Sequence, residues 1–286
     1  MMFKKVIFAS LFLLLSVAFL LGCASGNKAI QIRGSDTMVN LGQAWAEVFM
    51  KEHSDISLAI TGGGSGTGIA ALISGATDIA QASRNMEPSE IEMAKKRGIN
   101  PKEFHVANDG VTIVINPSNP VSKLTMQQLA DIYTGKIKNW KEVGGKDEKI
   151  VALSRDRNSG THVFFLEHVI KHGDKNNKDE FNQSALMMPS SQAIVEEVAS
   201  NSSAIGYIGL GYLNDRQKAV PIAKDGKSPY VFPSIDTVKN GKYPIARSLL
   251  FYTNGEPTEK IKSFLDFVFS PEGQKIVLKM DFVPVK

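Results

Sequence analysis

Ile150-Val151-Ala152-Leu153-Ser154-Arg155-Asp156-Arg157-Asn158-Ser159-Gly160-Thr161 reads as an apolar strand running into a hydroxyl-rich loop. The amphipathic stretch from His162 to Lys171 follows as a helix. The same design occurs twice upstream. Ile30 to Arg33 leads through Gly34-Ser35-Asp36-Thr37 into a helical run from Met38 to Met50. Leu58-Ala59-Ile60 leads through Thr61 and Gly62-Gly63-Gly64-Ser65-Gly66-Thr67-Gly68 into Ile69 to Ile73. Each loop brings free backbone N–H groups, hydroxyl donors and the positive end of a helix dipole to one point, which favours anions. Three such loops, one with two arginines, point to a site for a compact oxyanion.

Other uses of these loops fit less well. Gly62–Gly68 ends in Ile69 and lacks the Gly-Lys-Ser/Thr of a nucleotide P-loop. Gly66-Thr67-Gly68-Ile69-Ala70-Ala71 matches G-x-G-x-x-A, but no ribose-binding acid stands at the end of a following strand. Gly63 to Thr67 fails G-x-S-x-G at its last position, so it forms no nucleophile elbow. The plain alternative is a flexible Gly-rich turn, against which Ser65 and Thr67 add donors that a spacer does not need.

Composition narrows the class. Lys4 and Lys5 precede an apolar run from Val6 to Leu21, too short for a typical membrane span. Residues 1–22 read as an export signal. Leu20-Leu21-Gly22-Cys23 resembles a lipoprotein cleavage box, which makes Cys23 a lipid anchor and residues 23–28 its tether. The alternative is an uncleaved N-terminal anchor. Cys23 is the single cysteine, so no internal disulfide forms. The remaining 260 or so residues suffice for one large or two medium domains. Without the signal the net charge falls from +4 to +2, too little to attract an anion by bulk field. No basic–aromatic stripe suggests nucleic acid.

Alternating strands and helices predict α/β architecture with a mostly parallel sheet. Leu41, Ala44, Trp45, Val48 and Phe49 share one helical face, with Trp45 in the core. Val111–Ile115 is a β-branched strand that Asn116-Pro117-Ser118-Asn119-Pro120 stops, a natural crossing between domains. Thr125, Ser190 or Ser191, and Ser270 are helix caps, and Ala223–Gly241 reads as irregular. Early and late segments then form one lobe (29–112 and 248–286) and the middle another (113–247), with the ligand cleft between them.

Arg155 or Arg157 forks onto two oxygens of the anion, and Ser83-Arg84, after Ile79-Ala80, offers a second guanidinium. A carboxylate beside an anion makes sense only if the ligand carries a proton, as phosphate does near neutral pH and sulfate does not. Asp36, Asp109 and Asp156 are the candidate acceptors; their ordinary readings are a helix cap, a turn before Gly110 and a surface ion pair. His168 and His172 share a helical face but lack an acidic third ligand, an H-E-x-x-H motif or a cysteine pair, so no metal is expected. No nucleophile stands beside a base, and no enzyme or cofactor is expected.

On Gly34–Met38, Gly62–Gly68, Ala82-Ser83-Arg84, Asp109-Gly110, Arg155–Thr161 and Ala204-Ile205-Gly206-Tyr207, the chain resembles the phosphate-binding lipoproteins of bacterial ABC importers. The resemblance implies a two-lobed periplasmic-binding-protein fold of type II, joined by two crossing strands, that closes on one inorganic phosphate. It implies a monomer that hands phosphate to membrane permease subunits. By position it implies contacts from Thr37, the Met38 backbone and Ser65, and from Arg155, Ser159, Gly160 and Thr161 across the cleft; Ser35 and Ser83, with Asp36, Arg84 and Asp109, complete the candidate phosphate-binding set. Some members carry Asp where this chain has Arg84, so the proton acceptor here lies elsewhere, with Asp36 the first candidate and Asp109 the next, or is absent. The rival readings are another oxyanion (sulfate, molybdate or tungstate) and a phosphate-sensing lipoprotein without a transport role.

Overall fold

A computed structural model describes residues 28–285; the signal 1–22 and Cys23 lie outside the described residues. Strand β1 (Ile30–Gly34) alternates buried and half-buried positions and ends on Gly34. A single 3-10 turn, Asp36–Met38, leads into helix α1 (Val39–Glu52), which buries Leu41, Trp45, Ala46 and Phe49 at helical spacing. The Trp45 indole N–H donates to the Gly273 carbonyl at 2.8 Å, so even its polar atom is satisfied in the core. Strand β2 (Leu58–Thr61), helix α2 (Ser65–Ile73), strand β3 (Ile79–Ala82) and helix α3 (Pro88–Lys96) follow. β1 pairs in parallel with both β2 and β3.

Strand β4 (Pro101–Ile115) joins the two halves. Residues 101–110 pair antiparallel with β11 (Ala246–Asn254), and residues 111–115 pair antiparallel with β8 (Ala204–Gly209) and, at their end, with β9 (Lys218–Ala219). Beyond β8, strand β6 (Val151–Arg155) runs parallel to both β8 and β7 (Leu186–Met188). The order is β2-β1-β3-β11-β4-β8-β6-β7. The expected mostly parallel sheet is therefore corrected. Its two flanks are parallel, but the middle is antiparallel, because β4 takes the chain out of the first half and β11 brings it back between β4 and β3.

Two cores mark the lobes. Ala107, Leu249 and Phe251 belong to one cluster with Trp45, Phe49 and Phe264; Val111, Ile113 and Ile245 belong to another with Tyr133, Trp140 and Tyr207. The chain thus changes lobe between Ala107 and Val111, and again between Ile245 and Leu249. The Asn116–Pro120 cluster is not the crossing. It lies within the second lobe, where Asn116 donates to the Val198 and Ala199 carbonyls and Val121 is in the core. Asp109 likewise stands inside a strand, not in a turn.

The second lobe carries β5 (Leu124–Thr125), paired with β10 (Ile222–Ala223), and helix α4 (Met126–Thr134), capped reciprocally by Thr125 and Gln128. Helix α5 (Gly160–Phe165) is shorter than the predicted run and passes into a π-helical turn, Leu166–Ile170. Helix α6 (Ser191–Ser200) is capped by Ser190, whose hydroxyl accepts from the Ala193 N–H. Residues 223–241 are less irregular than expected, since they include helix α7 (Ile235–Lys239). Helices α8 (Glu259–Phe269) and α9 (Pro271–Lys279) return to the first lobe; Phe264 and Val268 are completely buried there. Burying one such side chain contributes about 1.5–3 kcal/mol.

Candidate functional site

The three strand–loop–helix units meet where the lobes touch. From the first lobe, the loop after β1 presents Ser35 and Thr37, the N-terminus of α2 presents Ser65, and the end of β3 leads into Ser83; all four are buried. Ser35 Oγ donates to Ser83 Oγ at 2.9 Å, and Ser65 Oγ lies 3.4 Å from the same oxygen. The Ser83 N–H donates to Ser65 Oγ at 3.0 Å. Met38 buries its side chain in the first core while its N–H turns back to the Ser35 carbonyl at 3.2 Å.

The second lobe supplies the loop between β6 and α5. Ser159 caps α5, its Oγ accepting from the Thr161 and His162 N–H groups at 3.2 and 3.4 Å. Thr161 Oγ1 faces Thr37 Oγ1 across the cleft at 3.0 Å. Gly160 has a steric reason to lack a side chain: a Cβ there would stand 2.2 Å from Ser65 Oγ and 2.8 Å from Ser83 Oγ. Only glycine lets the α5 N-terminus come this close to the opposing hydroxyls.

Arg155 ends β6 and is 2% exposed. Its Nη1 donates to Ser191 Oγ at 3.0 Å, and its Nε and Nη2 donate to the Met188 and Pro189 carbonyls. Nη2 also lies 3.3 Å from Asp36 Oδ2, a salt bridge across the cleft. The same carboxylate oxygen accepts from the Ser191 N–H at 2.8 Å, so Asp36 of the first lobe caps α6 of the second. Tyr212 of the second lobe donates to the Asp36 carbonyl, and burial together with the Asp36 charge pushes its hydroxyl pKa up. Asn158 Nδ2 donates to the Gly63 carbonyl and Thr67 Oγ1, while its own carbonyl accepts from the Gly66 N–H. These bonds hold the cleft shut.

The structure departs from the sequence reading at two arginines. Arg84 is buried, but its Nη1 and Nη2 fork onto both oxygens of Glu90, at 2.8 and 2.7 Å, in the first turn of α3. Its two terminal nitrogens are therefore engaged within the first lobe, while its buried Nε has no hydrogen-bond partner among the described residues. Arg157 is exposed. Arg247, which the sequence reading passed over, is buried against Asp109: its Nε and Nη2 donate to Oδ2 at 3.0 and 2.8 Å. It also donates to the Ser83 carbonyl and to Thr37 Oγ1. Burial draws its pKa down, against the opposing charge of Asp109. Asp109 Oδ1 accepts from the Leu210 N–H at 2.9 Å. A signal for this pair existed. Arg247 falls in phase with Leu249 and Phe251 along its strand, and Asp109 with Val111 and Ile113; charges on the apolar phase mark a buried ion pair.

Behind the loop, Tyr207 approaches Ser154 Oγ at 2.7 Å and accepts from the Arg155 N–H, while burial pushes its phenol pKa up to about 12. His162 stacks on Phe181 with 4.4 Å between centroids, and burial lowers its pKa. Asp156 is half-buried, and its carbonyl accepts from the Ser159 N–H at 2.9 Å. Among the described residues no group of three His, Cys, Asp or Glu stands ready to hold a metal, and His168 binds the Pro244 carbonyl. Among those residues, too, no helix is long and apolar enough to cross a membrane. What converges is a ring of hydroxyls at helix N-termini with two buried guanidiniums, each balanced by one carboxylate. Such a site binds a small oxyanion by directed hydrogen bonds.

Comparisons with known proteins agree with this geometry. Residues 22–272 match the profile of the PBP superfamily domain. A Bacillus subtilis protein named phosphate-binding protein PstS is 35% identical over 266 residues, covering 92% of this chain and 82% of its own length. One of the same name from Borreliella burgdorferi is 30% identical over 99% of both chains. A solved structure of a phosphate ABC transporter substrate-binding protein from Clostridium perfringens, described as putative and with bound phosphate, superposes with a TM-score of 0.81. It is 36% identical and covers 91% of this chain and 100% of its own.

Proposed function

The chain belongs to the PBP superfamily, among the phosphate-binding proteins named PstS, and from that premise we propose that it captures inorganic phosphate outside the cytoplasmic membrane and delivers it to an ABC-type permease. One observation carries the reading: Thr37 Oγ1 faces Thr161 Oγ1 across the cleft at 3.0 Å, Gly160 lies against Ser65 and Ser83, and Arg155 reaches Asp36 at 3.3 Å, so the hydroxyl loops of the two lobes face each other. Phosphate is held between these groups as the two lobes close about the crossings at 107–111 and 245–249. Asp36 accepts the proton that phosphate retains; it engages the second lobe through Oδ2, beside the anion loop. Charge-assisted hydrogen bonds contribute about 1.5–3 kcal/mol each. A handful of them, offset by desolvation and closure, reaches the roughly 8 kcal/mol of micromolar binding.

The protein acts as a monomer, lipid-anchored through Cys23 after removal of residues 1–22, and performs no catalysis. Calorimetric titration of residues 24–286 with phosphate, sulfate and molybdate tests the ligand. Phosphate binding at micromolar or tighter Kd with much weaker sulfate binding is the expected result, and equal affinity for all three would defeat it. Export of a Cys23→Ser variant tests the anchor: the variant should leave the membrane fraction or remain unprocessed, and membrane retention with normal processing would exclude the lipidated cysteine.

A further inference from the structure

Arg247 stands at the place where the chain crosses back between lobes, and every polar atom it touches belongs either to the anion site or to Asp109. It reaches Ser83 through the carbonyl and Thr37 through the hydroxyl, at 3.2 and 3.3 Å. The Phe164 ring of the second lobe lies under its guanidinium, 5.6 Å from Cζ to centroid. Such a guanidinium, 7% exposed and locked by a completely buried carboxylate, is costly to bury. A strand that needed only packing would carry a leucine there, as it does at Leu249.

The hydroxyl chemistry gives the reason. A hydroxyl has one proton and accepts at its lone pairs. An N–H donating into its oxygen leaves the proton to be directed elsewhere. Ser65 Oγ accepts from the Ser83 N–H, and Ser159 Oγ accepts from the Thr161 and His162 N–H groups. Thr37 has no such backbone donor; Arg247 Nη2 fills that role. Three hydroxyls around the cleft are thus set as donors by a fixed N–H behind each of them.

We propose that Arg247 is a positioning residue of the anion site, which fixes the Thr37 hydroxyl as a donor toward the ligand while Asp109 cancels its charge. The proposal rests on the reading of this cleft as an oxyanion site. Because Asp109 neutralises it, Arg247 acts through Thr37 and not as a second bulk charge. Asp109 has Oδ2 turned to Arg247 and Oδ1 to the Leu210 N–H, so it holds the arginine and is not the acceptor of the ligand proton.

The test is a double-mutant cycle on the oxyanion that the wild-type protein binds most tightly. Arg247→Lys keeps the charge opposite Asp109 but loses the fork to Thr37 and Ser83. Arg247→Lys and Thr37→Val should each weaken that anion at least tenfold. The double variant should lose little beyond either single one, because both remove the same directed proton. An arginine that serves only stability would give unchanged affinity in Arg247→Lys, or losses that add fully with Thr37→Val; either result overturns the proposal. Should Arg247→Lys fail to fold, Asp109→Asn with Arg247→Gln removes both charges together and leaves none buried alone. Wild-type affinity in that pair overturns the proposal, and at least a tenfold loss that Thr37→Val does not deepen supports it. If the wild type prefers another oxyanion to phosphate, the phosphate reading fails and the cycle on that anion still decides the role of Arg247.

Discussion

Arg155 and Asp36 are the residues on which affinity and selectivity turn. Arg155 is buried, holds Asp36 across the cleft and lies at the foot of the Ser159–Thr161 loop. Arg155→Ala removes two or more directed charge-assisted bonds, worth about 1.5–3 kcal/mol each. We expect phosphate affinity to fall at least hundredfold in calorimetry, with cooperative thermal unfolding retained. Near-normal affinity would shift the anchor to Arg247. Asp36→Asn keeps the size of the side chain but replaces a pure acceptor with a group that also donates. Phosphate should weaken and sulfate gain measurable affinity in competitive titration; an unchanged ratio would remove Asp36 from selectivity. At this scale the sequence was legible where the chemistry is local. Ser35, Thr37, Ser65, Ser159 and Thr161 announce themselves because hydroxyl, glycine and helix start lie within a few residues of one another. Arg247 showed only as a charge on the apolar phase of its strand, and its partners Thr37 and Asp109, 210 and 138 residues away, meet it through strand order. Arg84 misled for the converse reason: it sits beside a hydroxyl loop, yet Glu90, six residues on, captures it.

Among the elements, α5 is the one whose geometry the site exploits most. It is short, its cap is satisfied by Ser159, and its first residue must be glycine. Gly160→Ala places a methyl against Ser65 and Ser83, so the helix N-terminus backs away from the cleft. Binding should drop at least tenfold while Tm changes by only a few degrees, because Gly160 has negative φ and alanine suits a helix; unaltered binding would mean that the lobes do not need this approach. His162, in the same helix, predicts a pH effect. Burial lowers its pKa below the ordinary 6.5, so the unfolded chain takes up a proton before the folded one does. Stability from this group is complete above about 6.5 and is lost as pH falls through the folded value. Thermal melts from pH 7.5 to 5 should show a decline that His162→Gln reduces; equal slopes in both proteins would exclude the contribution. Element boundaries were legible where caps mark them, at Thr125, Ser190 and Ser270. The π-helical turn after Phe165 was not, since nothing in the spacing of Leu166–Ile170 separates it from a continued α-helix.

At the scale of the whole molecule, the two lobes share one sheet, and the antiparallel junction of β4 with β11 and β8 is what sequence alternation concealed. Alternating strand and helix patterns fix composition and layer but not the direction in which distant strands pair. That same arrangement sets an order of events during synthesis. β3 has β1 on one side and β11 on the other, and the register joins Ala82 to Leu250. Until residue 254 has been made, β3 stands as an open edge whose residues Ile79–Ala82 are all destined for burial. The second lobe, by contrast, has its sheet from β4 to β9 once residue 219 is made. A nascent or translocating chain therefore passes through a stage with one half folded and the other sticky, a natural client for a holding chaperone. A fragment ending at residue 245 should show protease protection across 111–223 and ready cleavage within 30–82.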